Sequence, residues 1–322
     1  MMRVAQKTIA GTAVLAAILL ADGHPRAHES PVRHAHAGST MAPDSESYDA
    51  IWYQDIPYAS VPGVDPILLS LDIYTLDPAS SAAPVMVYVH GGGGRRGDKA
   101  WANDIAAKPA FFIKGEGFVF VSVNYRIGDA GRYPTSQQDV ADAVAWVHDH
   151  IGTYGGDPNR LFLMGHSSGA AIVARLATIE LFLDRAGKDP SIVKGAITID
   201  GGNFDVLADA DTAQGRERLA AAYGPGRSDW EAASPLHHAS KSGYVPPLLL
   251  LHIGNGRGSE QDANAMAAAM RAAGHRADVV ALPGKDHFSA SSDIGRYDDP
   301  STRAVHAFLE SIAGSSAARA AR

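Results

Sequence analysis

The feature that most constrains this chain is one junction, Leu161-Phe162-Leu163-Met164 followed by Gly165-His166-Ser167-Ser168-Gly169 and then Ala170 to Ala177. An apolar run of strand length meets Gly-x-Ser-x-Gly, which opens directly into a helix former. A strand that turns into a helix within so few residues needs glycines where the backbones crowd. The turn pushes its central serine into the open, at a helix N-terminus whose dipole and free N–H groups face the reacting centre. Such a pentapeptide is weak evidence alone, and a simple Gly/Ser turn is the alternative reading. The strand before it and the helix after it favour a nucleophile elbow, with Ser167 at the tip and Ser168 as the competing serine.

The same grammar runs along the chain. Pro84 to Val89, Gly117 to Val123, Ala196 to Ile199, Leu248 to Ile253 and Val279 to Leu282 are short, nearly continuous apolar runs, as parallel strands buried on both faces require. Ile67 to Tyr74 partly alternates, like a half-exposed strand. Between the runs, Val140, Ala143, Val144, Val147 and Ile151 mark one helix face, Ala263 to Ala273 a second helix, and Val305, Phe308, Leu309 and Ile312 a last one. Alternating strands and helices predict an α/β fold with a doubly wound, mostly parallel sheet and helices on both faces. Residues 203–245 lack clear strands and are expected to form a small cap.

A second motif, His90-Gly91-Gly92-Gly93-Gly94, ends the Pro84–Val89 strand. Residues without side chains let backbone N–H groups approach a developing oxyanion, and each such donor is worth about 3 kcal/mol in a transition state. Gly91 and Gly92 are the expected donors, joined by the N–H of Ser168, the residue after the nucleophile. A flexible glycine loop is the bland alternative. A phosphate cradle would end in Gly-Lys-Ser/Thr, whereas this run continues as Arg95-Arg96-Gly97-Asp98-Lys99. His90 reads as a structural hydrogen bonder.

A serine hydroxyl does not ionise near neutral pH and needs a base. His287, after the last apolar strand, fits the chain order Ser, acid, His. His252, inside a strand, reads as a core residue, and His237 or His238 as a pocket wall. The orienting acid is expected just past Leu248–Ile253, where the first carboxylate is Glu260. Glu260 is therefore the first choice. Asp262, which Ser259 places at capping-box spacing, is second, and Asp205, after the preceding strand, is third. Asp286 adjoins His287, but neighbouring side chains point apart.

The 322 residues carry a formal net charge of -7 and no cysteine, which excludes disulfides and thiol chemistry and argues against nucleic acid as a partner. Arg3 and Lys7 precede an apolar stretch from Thr8 to Ala21, too short to span a bilayer comfortably and patterned like a signal peptide, with cleavage expected after Ala21 or Ala37. The expected organisation is a leader over 1–37, a linker over 38–47, a catalytic domain over 48–314 and a disordered tail over 315–322. The product would be exported, with no stable membrane insertion after processing. His24, His28, His34 and His36 read as incidental linker histidines, because no carboxylate or fixed spacing completes a metal site.

With these residues in view, the chain resembles the carboxylesterases of the α/β-hydrolase superfamily. The likeness rests on His90 to Lys99, Val123-Asn124-Tyr125-Arg126, Tyr154-Gly155-Gly156-Asp157-Pro158-Asn159-Arg160 and Gly165 to Gly169. The branches it is most similar to are the hormone-sensitive-lipase, feruloyl-esterase-like and kynurenine-formamidase-like ones, over residues 50–312. The resemblance implies an α/β-hydrolase fold, a small ester substrate, no metal or organic cofactor, and an acyl-enzyme on Ser167. It places a structural rather than chemical role on Asp139. Two departures stand out. Relatives often carry a bulky aromatic at the position of Gly94, and an Asp where this chain has Asn255-Gly256-Arg257. Two other readings stay open: an aryl-formamidase-type amidase and a non-catalytic binding protein of the same fold.

Overall fold

Runs of valine, leucine and isoleucine buried on both faces build the centre of the molecule. The computed structural model describes residues 33–35, 50–76, 82–241, 243–254 and 258–320. Nine strands among them form one sheet: β1 (Arg33–Ala35), β2 (Ile51–Pro57), β3 (Ser70–Thr75), β4 (Ala83–Val89), β5 (Val119–Val123), β6 (Gly156–His166), β7 (Val193–Ile199), β8 (Leu248–His252) and β9 (Ala277–Ala281). Their order is β1-β2-β3-β5-β4-β6-β7-β8-β9. The pairs β1/β2, β2/β3 and β3/β5 are antiparallel, and the pairs from β5 to β9 are parallel.

Parallel strands need crossovers, and helices such as Thr135–His150, between β5 and β6, and Gly258–Ala272, between β8 and β9, supply them, while a last helix follows β9. Thr135–His150 buries Val140, Ala143, Val144 and Val147 against one face of the sheet, beside Val87, Leu163 and Leu250. The helix Pro300–Ala320 buries Val305, Phe308, Leu309 and Ile312 on the other face, with Met86, Met164 and Leu249. Each large aliphatic side chain removed from water in these layers contributes about 1.5–3 kcal/mol. The cap is present: helices Ala213–Tyr223 and Arg227–Ala233 gather around Val206, Leu219 and Trp230, while the short helix Pro235–Ala239 packs Leu236 and Ala239 on the main core.

Several boundaries differ from the sequence reading. The Ile67–Tyr74 run starts as a short 3-10 turn, Pro66–Leu69, because Asp65 caps it and Pro66 suits a first turn; the strand begins at Ser70. Strand β2 was not anticipated. It is an edge-side strand whose pairing with β3 shifts between Tyr53 and Ile56, where Asp55 takes a φ of 54°. Strand β1 lies before the expected domain start at residue 48. The last helix runs to Ala320, past the expected limit at 314, through alanines and an arginine that favour helix. Of the expected leader over 1–37 only residues 33–35 are described, and the expected linker over 38–47 lies outside the described residues. Among the described residues no helix is long and apolar enough to cross a membrane.

Candidate active site

The strand-to-helix turn forms as the glycines require. Ser167 sits between β6 and the helix Ser168–Thr178 with φ 55° and ψ -118°, a strained conformation for a residue with a side chain. Its N–H donates to the carbonyl of Ile199 at 3.0 Å. A Cβ on Gly165 would lie 2.5 Å from the Gly169 carbonyl oxygen, and one on Gly169 would lie 2.2 Å from that of Val89. Only glycine lets the elbow close against β4, and the strain then holds the hydroxyl at the C-terminal edge of the sheet.

His287 reaches that hydroxyl from the loop after β9. The Ser167 hydroxyl donates to His287 Nε2 at 2.9 Å, and His287 Nδ1–H donates to Asp200 Oδ2 at 2.6 Å. The structure thus brings together Ser167 and His287, as the sequence predicts, but the third member is Asp200. It directly follows β7, takes a φ of 42°, and buries its carboxylate, which also accepts the N–H of Ile253 at 3.3 Å. Burial would raise its pKa, but bonds from His287 and Ser259 outweigh that and hold it below the ordinary range. In return the bond to Asp200 raises His287 above 6.5, against the opposing pull of burial.

None of the three acids expected from sequence bonds to His287. Glu260 lies in the first turn of the helix Gly258–Ala272, a half-buried residue whose carbonyl accepts from Asn264. Asp262 turns the other way and accepts the N–H of Asn203 at 2.6 Å, bracing the loop after Asp200. Asp205 caps a 3-10 turn by accepting the N–H of Leu207. The reason is local: the carboxylate sits at the end of β7, one strand earlier than β8, and reaches His287 across the strand ends. Asp286 does point away, capping the turn Ser289–Ser292 through the N–H groups of Phe288 and Ser289.

The glycine loop is folded beside the elbow. Gly92 and Gly93 line a cavity of about 200 Å³ with Ser167 and His287, whereas Gly91 is buried against His166 and the Ser167 side chain and lines neither cavity at the site. Gly92, one of the two expected donors, thus faces this cavity, and Gly91, the other, packs directly against the serine. Ser168 opens the helix, where the first N–H groups have no intrahelical partner, and its hydroxyl accepts the Gly94 N–H at 3.3 Å. Gly92 has φ 119°, and a Cβ there would lie 1.9 Å from the Arg96 carbonyl oxygen. Gly92→Ala is expected to distort this loop and lower kcat about 100- to 1,000-fold, the scale of a lost oxyanion donor, in steady-state assays of an ester substrate.

The remaining motifs hold this loop in place. His90 is buried, stacks on Tyr125 with ring centroids 4.5 Å apart, and its carbonyl accepts the Tyr125 hydroxyl at 2.7 Å. Asn124 accepts the Lys99 N–H at 2.7 Å and donates to Asp98. Arg126 is clamped by Asp139, with Nη2 to Oδ1 at 2.6 Å and Nε to Oδ2 at 2.9 Å, so Asp139 braces the structure and stays out of the site. His252 ends β8 in the core, and His237 and His238 lie in the cap outside both cavities.

Two positioning groups were not anticipated. His166, inside the pentapeptide, donates from Nε2 to the His287 carbonyl at 2.7 Å, and burial pushes its pKa down to about 4, so it stays neutral. Beneath it, Asp104 accepts from Tyr88 at 2.5 Å and Ser291 at 2.6 Å and pairs with the buried Lys108 at 3.2 Å. Burial would raise Asp104, but Lys108 and these donors hold it at about 2. This cluster ties the turn after His287 to the helix Ala102–Ile105. Among the described residues no group of three His, Cys, Asp or Glu could hold a metal ion.

A parallel-centred sheet, a nucleophile elbow and a hydrogen-bonded serine, aspartate and histidine that follow one another in that sequence order define an α/β-hydrolase. Residues 71–255, more than half of the chain, match the BD-FAE family model, and the chain belongs to that family. It is 32% identical over 160 residues to phenmedipham hydrolase from Pseudarthrobacter oxydans, a match covering 44% of this chain and 31% of that protein. It is 28% identical over 230 residues to the isoprenylcysteine alpha-carbonyl methylesterase ICME of Arabidopsis thaliana, covering 67% and 53%. The chain thus spans about half or less of the length of these curated relatives. Among solved structures, the thermophilic esterase Est2 of Thermogutta terrifontis superposes with a TM-score of 0.63 at 24% identity, over 79% of this chain and 89% of that one.

Proposed function

We propose that this protein hydrolyses small to medium carboxylic esters through an acyl-enzyme on Ser167. The observation that carries the reading is the hydrogen-bond chain from Ser167 through His287 to Asp200, at 2.9 and 2.6 Å. His287 takes the serine proton as Oγ attacks the ester carbonyl. The N–H groups of Gly91, Gly92 and Ser168 are the oxyanion donors in this reading, and His287 then protonates the departing alcohol. Asp200 fixes the tautomer with Nε2 toward the serine and stabilises the imidazolium. Water attacks the acyl-enzyme by the same route in reverse and releases the acid. The non-catalytic alternative rested on a missing acid, and Asp200 removes that motive.

The test is hydrolysis of p-nitrophenyl acetate and butyrate by the purified protein beside Ser167→Ala. Turnover that disappears in the variant supports the reading, and turnover of neither ester by either protein contradicts it. The assay also has an expected pH profile. His287 must be neutral to act as base, so kcat/KM falls as pH drops through the His287 pKa, which lies above 6.5 because Asp200 favours the protonated ring. In Asp200→Asn the residual activity should carry this acidic limb at lower pH. An unmoved limb would mean that Asp200 does not set the base.

The reading extends to the N-terminus, where residues 1–37 are taken as an export leader. The intact mass of protein recovered outside the cytoplasm should begin at Asp22 or Gly38; recovery of the full-length chain only in the cytoplasm would contradict export.

A further inference from the structure

A second, larger cavity of about 800 Å³ opens on the other side of the elbow, between Ser168 and the cap, and none of the side chains that line it has a part in the chemistry above. Its charge is opposite to that of the chain. Arg95, Arg132, Arg175 and Arg218 line it against a single carboxylate, Asp129, in a protein with a formal net charge of -7. Arg132 and Arg218 form exposed ion pairs with Asp129 and Asp209; such solvent-exposed pairs are weak, so either arginine can exchange its carboxylate for a ligand at the mouth.

Arg175 is different in kind. It is 2% exposed, and its guanidinium bonds to two carbonyls, of Ala233 and Ala171, and to the Tyr223 hydroxyl. It lies over the rings of Tyr133 and Tyr223, 5.9 and 5.7 Å from their centroids. Among the described residues no carboxylate pairs with it. A buried cation without a counter-ion is costly, and a cavity beside it is where an anion lowers that cost.

Tyr223 carries this charge to the cavity wall. Its hydroxyl oxygen accepts from Arg175 Nη2 at 3.2 Å and from Asn203 Nδ2 at 2.6 Å. Both partners are donors, so the hydroxyl's own proton is left to point at a ligand.

Resting on the ester-hydrolase reading, we infer that the larger cavity binds an anionic end of the substrate, a carboxylate. The Tyr223 hydroxyl donates to it, and Arg175 below with Arg95 and Arg218 at the mouth supply the attraction. The preferred substrates are then esters bearing a free carboxylate on the acyl or on the alcohol side.

Two matched pairs test this. Mono-p-nitrophenyl adipate is compared with p-nitrophenyl 6-methylheptanoate, which places charge on the acyl side. For the alcohol side, 4-(acetoxymethyl)benzoate is compared with the acetate of 4-isopropylbenzyl alcohol. In one pair the anionic ester should have a kcat/KM at least about ten-fold above its neutral partner at low salt, and the ratio should shrink as salt screens the cavity. Tyr223→Phe and the exposed change Arg218→Gln should each move that ratio toward one, so the test does not depend on a buried variant that fails to fold. Ratios at or below one in both pairs, with the neutral esters turned over, would overturn the inference and leave ester hydrolysis standing. No turnover of any ester, with Ser167 inert to a phosphonate, would remove the hydrolase reading and this inference with it.

Discussion

Asp200→Asn is expected to lower kcat about 10,000-fold, with the protein still folded, while Glu260→Gln stays within a few-fold of the parent. An amide at position 200 can offer its N–H to Nδ1, which favours the wrong imidazole tautomer and turns a lone pair away from the serine. It also withdraws the charge that stabilises the imidazolium. The carboxylate is 4% exposed and 2.6 Å from Nδ1, so no water replaces it easily. Glu260 has no bond to His287, and its loss removes nothing from the base. The comparison is made by steady-state kinetics on one p-nitrophenyl ester, with circular dichroism to confirm folding. Equal losses in the two variants would contradict the assignment of Asp200.

Ser167→Ala has the largest expected effect, a loss on the order of a million-fold in kcat, because no other hydroxyl takes its place. Ser168 is the nearest substitute in sequence, but its side chain accepts from Gly94 and lies on the side of the larger cavity, away from His287 Nε2. The variant should be at least as stable as the parent. Removing the hydroxyl leaves a small side chain at the strained φ of 55°, and the glycines that close the turn remain. A chemical or thermal melt that shows unfolding instead would make the lost activity uninformative, so folding is measured on the same sample.

The sheet and its crossovers were legible because burial on both faces writes continuous apolar runs, and Val85 to Val89 or Leu248 to Leu251 can be little else. The elbow was legible because close backbone approach demands glycine at 165 and 169. The base was legible from its place after the last strand. The acid was not: Glu260 and Asp262 were sought by analogy one strand too late, and Asp205, after the right strand, lies beyond its end. The run Ala196-Ile197-Thr198-Ile199 ends directly in Asp200-Gly201-Gly202, and a carboxylate at the carboxyl end of a parallel strand was the available clue. The bracing groups His166, Asp104 and Lys108 were beyond reach, since they meet only when separate elements pack. Strand β2 was missed for a related reason: near the antiparallel edge, polar and apolar residues mix and the pattern weakens.

The central claim is that Ser167 is an activated nucleophile, and covalent labelling measures it most directly. The protein is incubated with a fluorophosphonate, digested, and the modified residue located by mass spectrometry. The account predicts one adduct per chain, on the peptide carrying Gly165 to Gly169 and on Ser167 itself, slowed strongly in Asp200→Asn and absent in Ser167→Ala. No adduct on the folded parent protein, or an adduct that persists in Ser167→Ala, would contradict it.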